Sequence, residues 1–331
     1  MANLKYDVVA IGSATRDAFF EGDFKIVRYA AAPSGRALVF PFGEKLAIKK
    51  AYFTIGGNAA NASVTFARQG FKTGIASPVG NDVSGEEIRQ RLKKEGVDIS
   101  YIVATPHPTA YSVLLLEGGE RTILNYLGAP NKFSLKDAPL HRLAAKWWYV
   151  SLPGESYRSF SKLLAAAKKM GVKVALNPSM GHIIHGRREL LHLLPDISFL
   201  VLNESEASAL TGISFKKVEA VFKKLDKLMP GIVAVTSGPA GVTVSDGKFV
   251  YRAGIFKEKK LVDRTGAGDA FGSGFVAGLL RKNNIEYAIR LASANATAAV
   301  EKIGATEGLL TRRKFESERR FKTLKIMKKN V

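Results

Sequence analysis

The chain contains no cysteine among its 331 residues, which excludes structural disulfides, thiolate metal sites and cysteine nucleophiles. It contains no GxxxxGK[ST] string, so phosphate binding by a P-loop is excluded as well. No run of about 18 apolar residues occurs, and Met1 to Asp7 lacks the apolar stretch of a signal peptide. These absences predict a soluble, cytoplasmic protein with no membrane partner. Acidic residues are scarce beside basic ones, 29 against 50, giving a net charge of +21. Such an excess can attract phosphate backbones. However, residues 311–331 hold nine Lys or Arg against Glu316 and Glu318, a net +7 and a third of the total. No helix-turn-helix, zinc-finger or RNA-recognition pattern accompanies them. The charge reads as a solvated basic surface that draws in anionic nucleotides, and nucleic acid is not an expected partner.

Hydrophobic residues make up 46% of the chain, enough to bury a large core. Short apolar strands at 6–11, 73–77, 147–151, 173–176, 199–202 and 232–236 alternate with amphipathic helical patterns at 59–68, 85–95, 157–170, 204–210 and 216–228. That alternation predicts an α/β fold of three layers, a doubly wound, mainly parallel sheet with helices on both faces. Ligands in such folds gather beyond the carboxyl ends of the strands, where Asp17, Asn177, Asn203 and Gly238 fall. Strand-like pieces at 46–55, 109–116 and 121–127 do not fit the alternation and predict a second, smaller sheet. Glu117-Gly118-Gly119-Glu120 joins the last two as a hairpin.

The segment Asp263-Arg264-Thr265-Gly266-Ala267-Gly268-Asp269-Ala270-Phe271, followed by apolar Gly274 to Leu280, carries the most chemistry. Glycines at 266 and 268 allow close backbone approach, and unpaired N–H groups at a helix entrance can hold an anion. Asp269 beside such a cradle can take a proton from a substrate hydroxyl. Alone, the stretch is equally a strand-turn-helix junction with Asp269 as a cap. Two further signals read as structure. The string Gly272-Ser273-Gly274-Phe275-Val276-Ala277 matches a dinucleotide fingerprint but sits inside a helix, so it reads as close helix packing. His182 and His185 have helical spacing without a His-Glu-x-x-His motif, so they read as a basic loop rather than a zinc site. Trp147 and Trp148 read as packing in an apolar strand.

The 263–269 segment resembles the C-terminal signature of the ribokinase-like, phosphofructokinase-B type family of carbohydrate and nucleoside kinases. Arg264 stands where that family often has Thr or Ser. Gly56-Gly57-Asn58-Ala59-Ala60-Asn61, Val79 to Gly85, Asn203-Glu204-Ser205-Glu206 and Thr236 to Gly241 follow the family's other motifs in order, across roughly residues 5–310. The resemblance implies a single kinase domain over 1–331 with a small β-sheet lid over the acceptor site, its strands drawn from about 46–55 and 109–127. It implies transfer from ATP, with Mg²⁺, to a hydroxyl of a sugar, a nucleoside being the alternative. A catalytically silent, ligand-binding or nucleic-acid-associated relative ranks below both. It assigns Asp269 as base and Gly266, Ala267 and Gly268 as the anion hole. Asp17, Gly57, Asn58, Asn61, Tyr111 and Asn125 go to the acceptor, and Asn203, Glu206, Thr236, Gly238, Gly241 and Asn295 to the nucleotide. Glu206 would hold Mg²⁺ through water, although its spacing from Asn203 is also that of a capping box. Asp263 and Thr265, with Val300 to Gly304, would frame a site for a monovalent cation such as K⁺, and two copies would pair through the lid.

Overall fold

The computed structural model describes residues 4–32, 34–117, 120–134 and 138–331. The first part of the chain forms β1 (Tyr6–Gly12), β2 (Thr15–Glu21), β3 (Lys25–Arg28), β4 (Arg36–Val39), β5 (Lys50–Gly56), α1 (Asn58–Arg68), β6 (Thr73–Gly80), α2 (Val83–Lys94), β7 (Asp98–Thr105), β8 (Ala110–Glu117) and β9 (Glu120–Tyr126). There follow β10 (Ala145–Ser151), α3 (Phe160–Met170), β11 (Lys173–Leu176), α4 (Met180–Leu193), β12 (Phe199–Asn203), α5 (Glu204–Thr211), α6 (Val218–Leu228) and β13 (Ile232–Thr236). The last part forms β14 (Val242–Ser245), β15 (Phe249–Ala253), α7 (Ala267–Lys282), α8 (Ile285–Ala299), α9 (Arg312–Ser317) and β16 (Ile326–Asn330).

Ten strands make the main sheet, in the order β16-β15-β14-β13-β12-β11-β10-β1-β6-β7. From β13 to β7 every pairing is parallel, and β14, β15 and β16 extend the sheet antiparallel. A parallel sheet covered on both faces needs strands that are apolar on both sides. β1 shows why this sequence complies: Val8 and Ala10 join one core with Phe66, Phe275 and Leu291, while Val9 and Ile11 join the other with Leu163, Leu190 and Val221. Helices therefore cover both faces, as the alternation predicts.

A separate four-stranded sheet has the order β5-β2-β8-β9, with β2 and β8 parallel and the outer pairs antiparallel. The sequence reading is corrected in two places. β5 begins at Lys50, so Leu46 to Lys49 lie outside it. Asp17 does not sit in a loop after the first strand but inside β2, a strand of the small sheet. Between β2 and β5, where the sequence reading names no element before residue 46, the chain carries a two-stranded hairpin of β3 and β4. Glu117 pairs with Glu120 across the expected β8–β9 hairpin, whose tip, 118–119, lies outside the described residues. Beyond the sheets, His182 and His185 lie on α4, not in a basic loop. His182 is buried against Tyr157 and Phe160, and burial lowers its pKa to about 4.

The basic segment after Thr311 is only partly a solvated surface. Phe315 and Phe321 are buried in the core, and β16 hydrogen-bonds to β15 as the edge strand of the main sheet. No helix among the described residues is long and apolar enough to cross a membrane.

Candidate active site

The turn before α7 is built by glycine. Gly266 is the N-cap with φ 75°, a left-handed conformation, and contributes no side-chain cap. A Cβ there would stand 2.5 Å from the Cβ of Ala305. Among the described residues no acceptor takes the N–H of Gly268 or Asp269. No protein atom lies within 4 Å of where a Gly268 Cβ would point. Two donors without an acceptor among the described residues thus stand at the positive end of a 16-residue helix, an arrangement that favours an anion. The turn is tied down from behind: Asp263 accepts from Thr265 N (2.9 Å) and Oγ1 (2.7 Å) through one oxygen, and from Gly304 N (3.1 Å) through the other. The N–H groups of Val262 and Asp263 donate to Val300 O.

On one side of the turn lies a hollow of about 520 Å³, to which Asp269, Asp17, Asn58 and Asn61 contribute. α1 and the turn after β11 each send one amide to Asp269: Asn61 Nδ2 donates to Oδ2 at 2.9 Å and Asn177 Nδ2 to Oδ1 at 3.1 Å. Loss of hydration pushes the Asp269 pKa up to about 6, opposed by these two donors and aided by the charge of Asp17. The carboxylate is held in place and only weakly reluctant to ionise at neutral pH, as a proton acceptor requires. Asp17 is 4% exposed, and burial raises its pKa. It accepts from Thr15 Oγ1 at 2.8 Å.

Gly57 is the N-cap of α1 with φ 90°, and a Cβ there would lie 2.6 Å from Ser13 O. That oxygen instead accepts from Ala59 and Ala60 N–H, which fixes the helix start without a side-chain cap. Asn58 Nδ2 donates to Ser151 Oγ at 2.7 Å. The small sheet closes the hollow by alternation: Ser112 of β8 and Ile123 and Asn125 of β9 face in. Tyr111, expected at the acceptor, lies between in-facing Ala110 and Ser112 and does not line this hollow, whereas Ser112 does.

On the other side of the turn a hollow of about 270 Å³ is lined by Thr236, Gly238 and Gly241, by Ala267 and Gly268 of the turn, and by Ala296 and Val300 of the following helix region. Phe271, Ile255 and Leu261 give it an apolar wall. The two hollows share only the 264–269 turn, with Thr265, Gly266 and Asp269 facing one and Arg264, Ala267 and Gly268 the other.

Three residues stand apart. Asn203 and Glu206 form a complete capping box, Asn203 Oδ1 accepting from Glu206 N at 2.9 Å and Glu206 Oε2 from Asn203 N at 2.8 Å, and neither lines the two hollows. Burial, and to a lesser degree the charge of Asp269, raise the Glu206 pKa. Asn295 does not line the smaller hollow. It is fully buried, donates to Thr65 Oγ1 and Ala270 O, and accepts from Leu310 N, so it joins α8 to α1, α7 and the chain beyond. Sequence reasoning placed Asn177 at the sheet edge but missed its bond to Asp269, and it missed Ser112 and Arg121 altogether. The period-2 alternation of β8 and β9 carried the signal for the last two.

Comparison with known proteins gives concordant results. The profile of the pfkB family of carbohydrate kinases matches residues 24–312. The chain is 31% identical over 281 residues to a ribokinase of Haemophilus influenzae, covering 82% of this chain and 89% of that protein. It is also 31% identical to a cytidine kinase of Thermococcus kodakarensis, covering 81% and 93%. The structure of Arabidopsis thaliana ribokinase complexed with ribose and ATP superposes with a TM-score of 0.77 at 26% identity, over 97% of this chain and all of the other.

Proposed function

The chain belongs to the pfkB family of carbohydrate kinases and is a phosphotransferase with a hydroxyl acceptor; from that premise we propose that it phosphorylates an unphosphorylated sugar, using ATP and Mg²⁺. One observation carries the reading: a single glycine turn contributes Asp269 to the larger hollow and Gly268, whose N–H has no acceptor among the described residues, to the smaller. The acceptor occupies the larger hollow, with Asp17 taking hydrogen bonds from its hydroxyls. Asn58 and Asn125 complete the polar wall. A second phosphate beside Asp17 would meet a like charge, with repulsion of about 1 to 4 kcal/mol at 4 Å between water-like and surface-like dielectric.

Asp269 accepts the hydroxyl proton as the acceptor oxygen forms its bond to the terminal phosphorus of ATP. The bond from that phosphorus to the bridging oxygen breaks, and ADP leaves. The Gly266 to Gly268 turn offsets the charge on the transferring group through backbone donors and the helix dipole. Thr236, Gly238 and Gly241 receive the nucleotide against the apolar wall. Mg²⁺, bound to the phosphates and reached by Glu206 through water, would supply further charge neutralisation. Glu206 fits this role through Oε1, since its cap uses only Oε2. Asp263 and Thr265 already tie the 263–265 and 300–304 loops together, so a K⁺ requirement is not part of this reading.

A nucleoside acceptor is favoured by the apolar part of the larger hollow, where Leu114, Ile123, Leu127 and Leu152 offer a wall for a base beside the polar sugar site. The exposed outer residues Phe53, Leu124 and Tyr126 of the small sheet make that lid the surface through which two copies would pair, which light scattering would test. The function is tested by nucleotide consumption over a panel of sugars and nucleosides, with wild type and Asp269→Asn. Wild type turns over at least one compound, and the near-isosteric variant loses at least about 100-fold in kcat while keeping its melting temperature. Retention of more than a tenth of wild-type turnover removes Asp269 as the base.

A further inference from the structure

Arg121 and Arg264 belong to opposite sides of the cleft. Arg121 lies near the start of β9 in the small sheet, and Arg264 in the turn that leads into α7. Arg121 contributes to the larger hollow and Arg264 to the smaller, and both border a third hollow of about 360 Å³ between the small sheet and the turn. Four carboxylates and Lys49 also edge that third hollow, and each carboxylate already has a partner. Glu21 pairs with Lys50 and Asp23 with Lys49, Glu117 accepts from Phe24 N, and Asp263 holds Thr265 and Gly304. Among the described residues neither arginine has an ion-pair or hydrogen-bond partner, and the Nε of Arg121 is buried without an acceptor.

Two guanidinium groups without an ion-pair partner among the described residues border one hollow, and one of them buries an unsatisfied donor, which is costly. A tetrahedral phosphoryl group answers both defects, since its oxygens accept from planar guanidinium forks. We propose that Arg121 and Arg264 form a split phosphoryl-binding site, one guanidinium from each side of the cleft, that grips a phosphoryl group between the nucleotide and acceptor hollows. The site rests on the kinase reading above. The phosphoryl group has two sources, the terminal phosphate of the nucleotide or a phosphate carried by the acceptor.

The test measures calorimetric binding of ADP and of a non-hydrolysable ATP analogue to wild type, Arg121→Ala and Arg264→Ala. Neither side chain has a partner to lose, so both variants fold. A terminal-phosphate site predicts that each variant binds the analogue about tenfold to a hundredfold more weakly, the usual effect of losing hydrogen bonds to a charged group, with ADP affinity unchanged. An acceptor-phosphate site predicts unchanged nucleotide binding and a rise in KM for a sugar phosphate but not for its parent sugar. Either result supports the split site. Less than a twofold change in every arm, with normal wild-type nucleotide binding, overturns it alone. Wild type that binds neither nucleotide overturns the kinase reading and the site with it.

Discussion

Asp269 shows how much of a reactive side chain's behaviour is set by its neighbours. Its two oxygens each accept one amide, from Asn61 and Asn177, and both donors favour the ionised form against the desolvation that pushes its pKa to about 6. Only the carboxylate can accept a proton, so kcat should fall as pH drops through about 6. Asn177→Leu removes one donor to the charged form, so the Asp269 pKa rises and the acid limb of the pH–kcat profile moves to higher pH. A variant with lower kcat but an unmoved limb would give Asn177 a merely structural part. The chemistry at this scale was legible where it depended on neighbours in sequence. Gly266, Gly268 and Asp269 stand within four residues, and helix entrance plus carboxylate follows from that spacing. Asn177 lies 92 positions from its partner, and no local pattern encodes a bond that only the closing of the sheet creates. Asn295 misled for the converse reason: an amide on a helix beside the smaller hollow looks like a ligand until its three bonds into the core are seen.

The element that carries Asp269 is α7, and its seat depends on small residues. Gly274 packs against α8 so closely that a Cβ would stand 2.9 Å from the Cα of Ala292, and Gly278 meets Ala288 in the same way. The glycine string that imitates a dinucleotide fingerprint is therefore helix packing, as its place inside a helix predicts. Gly274→Val must push the helices apart, at a cost of about 1 to 3 kcal/mol. Urea unfolding should show that loss, and kcat should fall with it because Asp269 rides on the displaced helix. Normal stability would mean that the contact yields freely. At the other end of the chain, charge concealed structure. Residues 311–331 read as solvated because Lys and Arg dominate them, yet Phe315 and Phe321 are buried and stack on one another at 6.5 Å between ring centroids. Lys328 lies 3.9 Å from the Phe249 ring centroid, so part of the charge decorates an edge strand's aromatic neighbours. Phe321→Ala should cost about 3 to 5 kcal/mol in the same assay, and a loss below 1 kcal/mol would return the segment to surface.

At the scale of the molecule, six parallel strands of the main sheet were readable because strands buried on both faces appear as unbroken apolar runs, as in Val8 to Ile11, whereas the partly exposed β7, β15 and β16 and the four-residue β14 were not. The small sheet was only half readable. β8 and β9 are neighbours joined by a short turn, but β2 enters that sheet two residues after β1 leaves the other, and no composition change marks the transfer at Ser13 and Ala14. Net charge, by contrast, is a property of the whole chain that sequence states outright, and it has a kinetic consequence. A molecule carrying +21 attracts a polyanionic nucleotide over distances comparable to the Debye length, about 10 Å at 0.1 M salt and 3 Å at 1 M. An uncharged sugar or nucleoside feels almost none of that field. Raising NaCl from 0.05 to about 0.5 M at fixed free Mg²⁺ should therefore raise the nucleotide KM several-fold, in line with screened attraction, while the KM of a neutral acceptor stays within twofold. Both constants come from steady-state titrations on one preparation, so general inactivation would show as a fall in kcat and not as a split between them. Equal salt sensitivity in the two would mean that the acceptor is itself anionic, and insensitivity in both would mean that the basic surface lies too far from the cleft to guide the nucleotide.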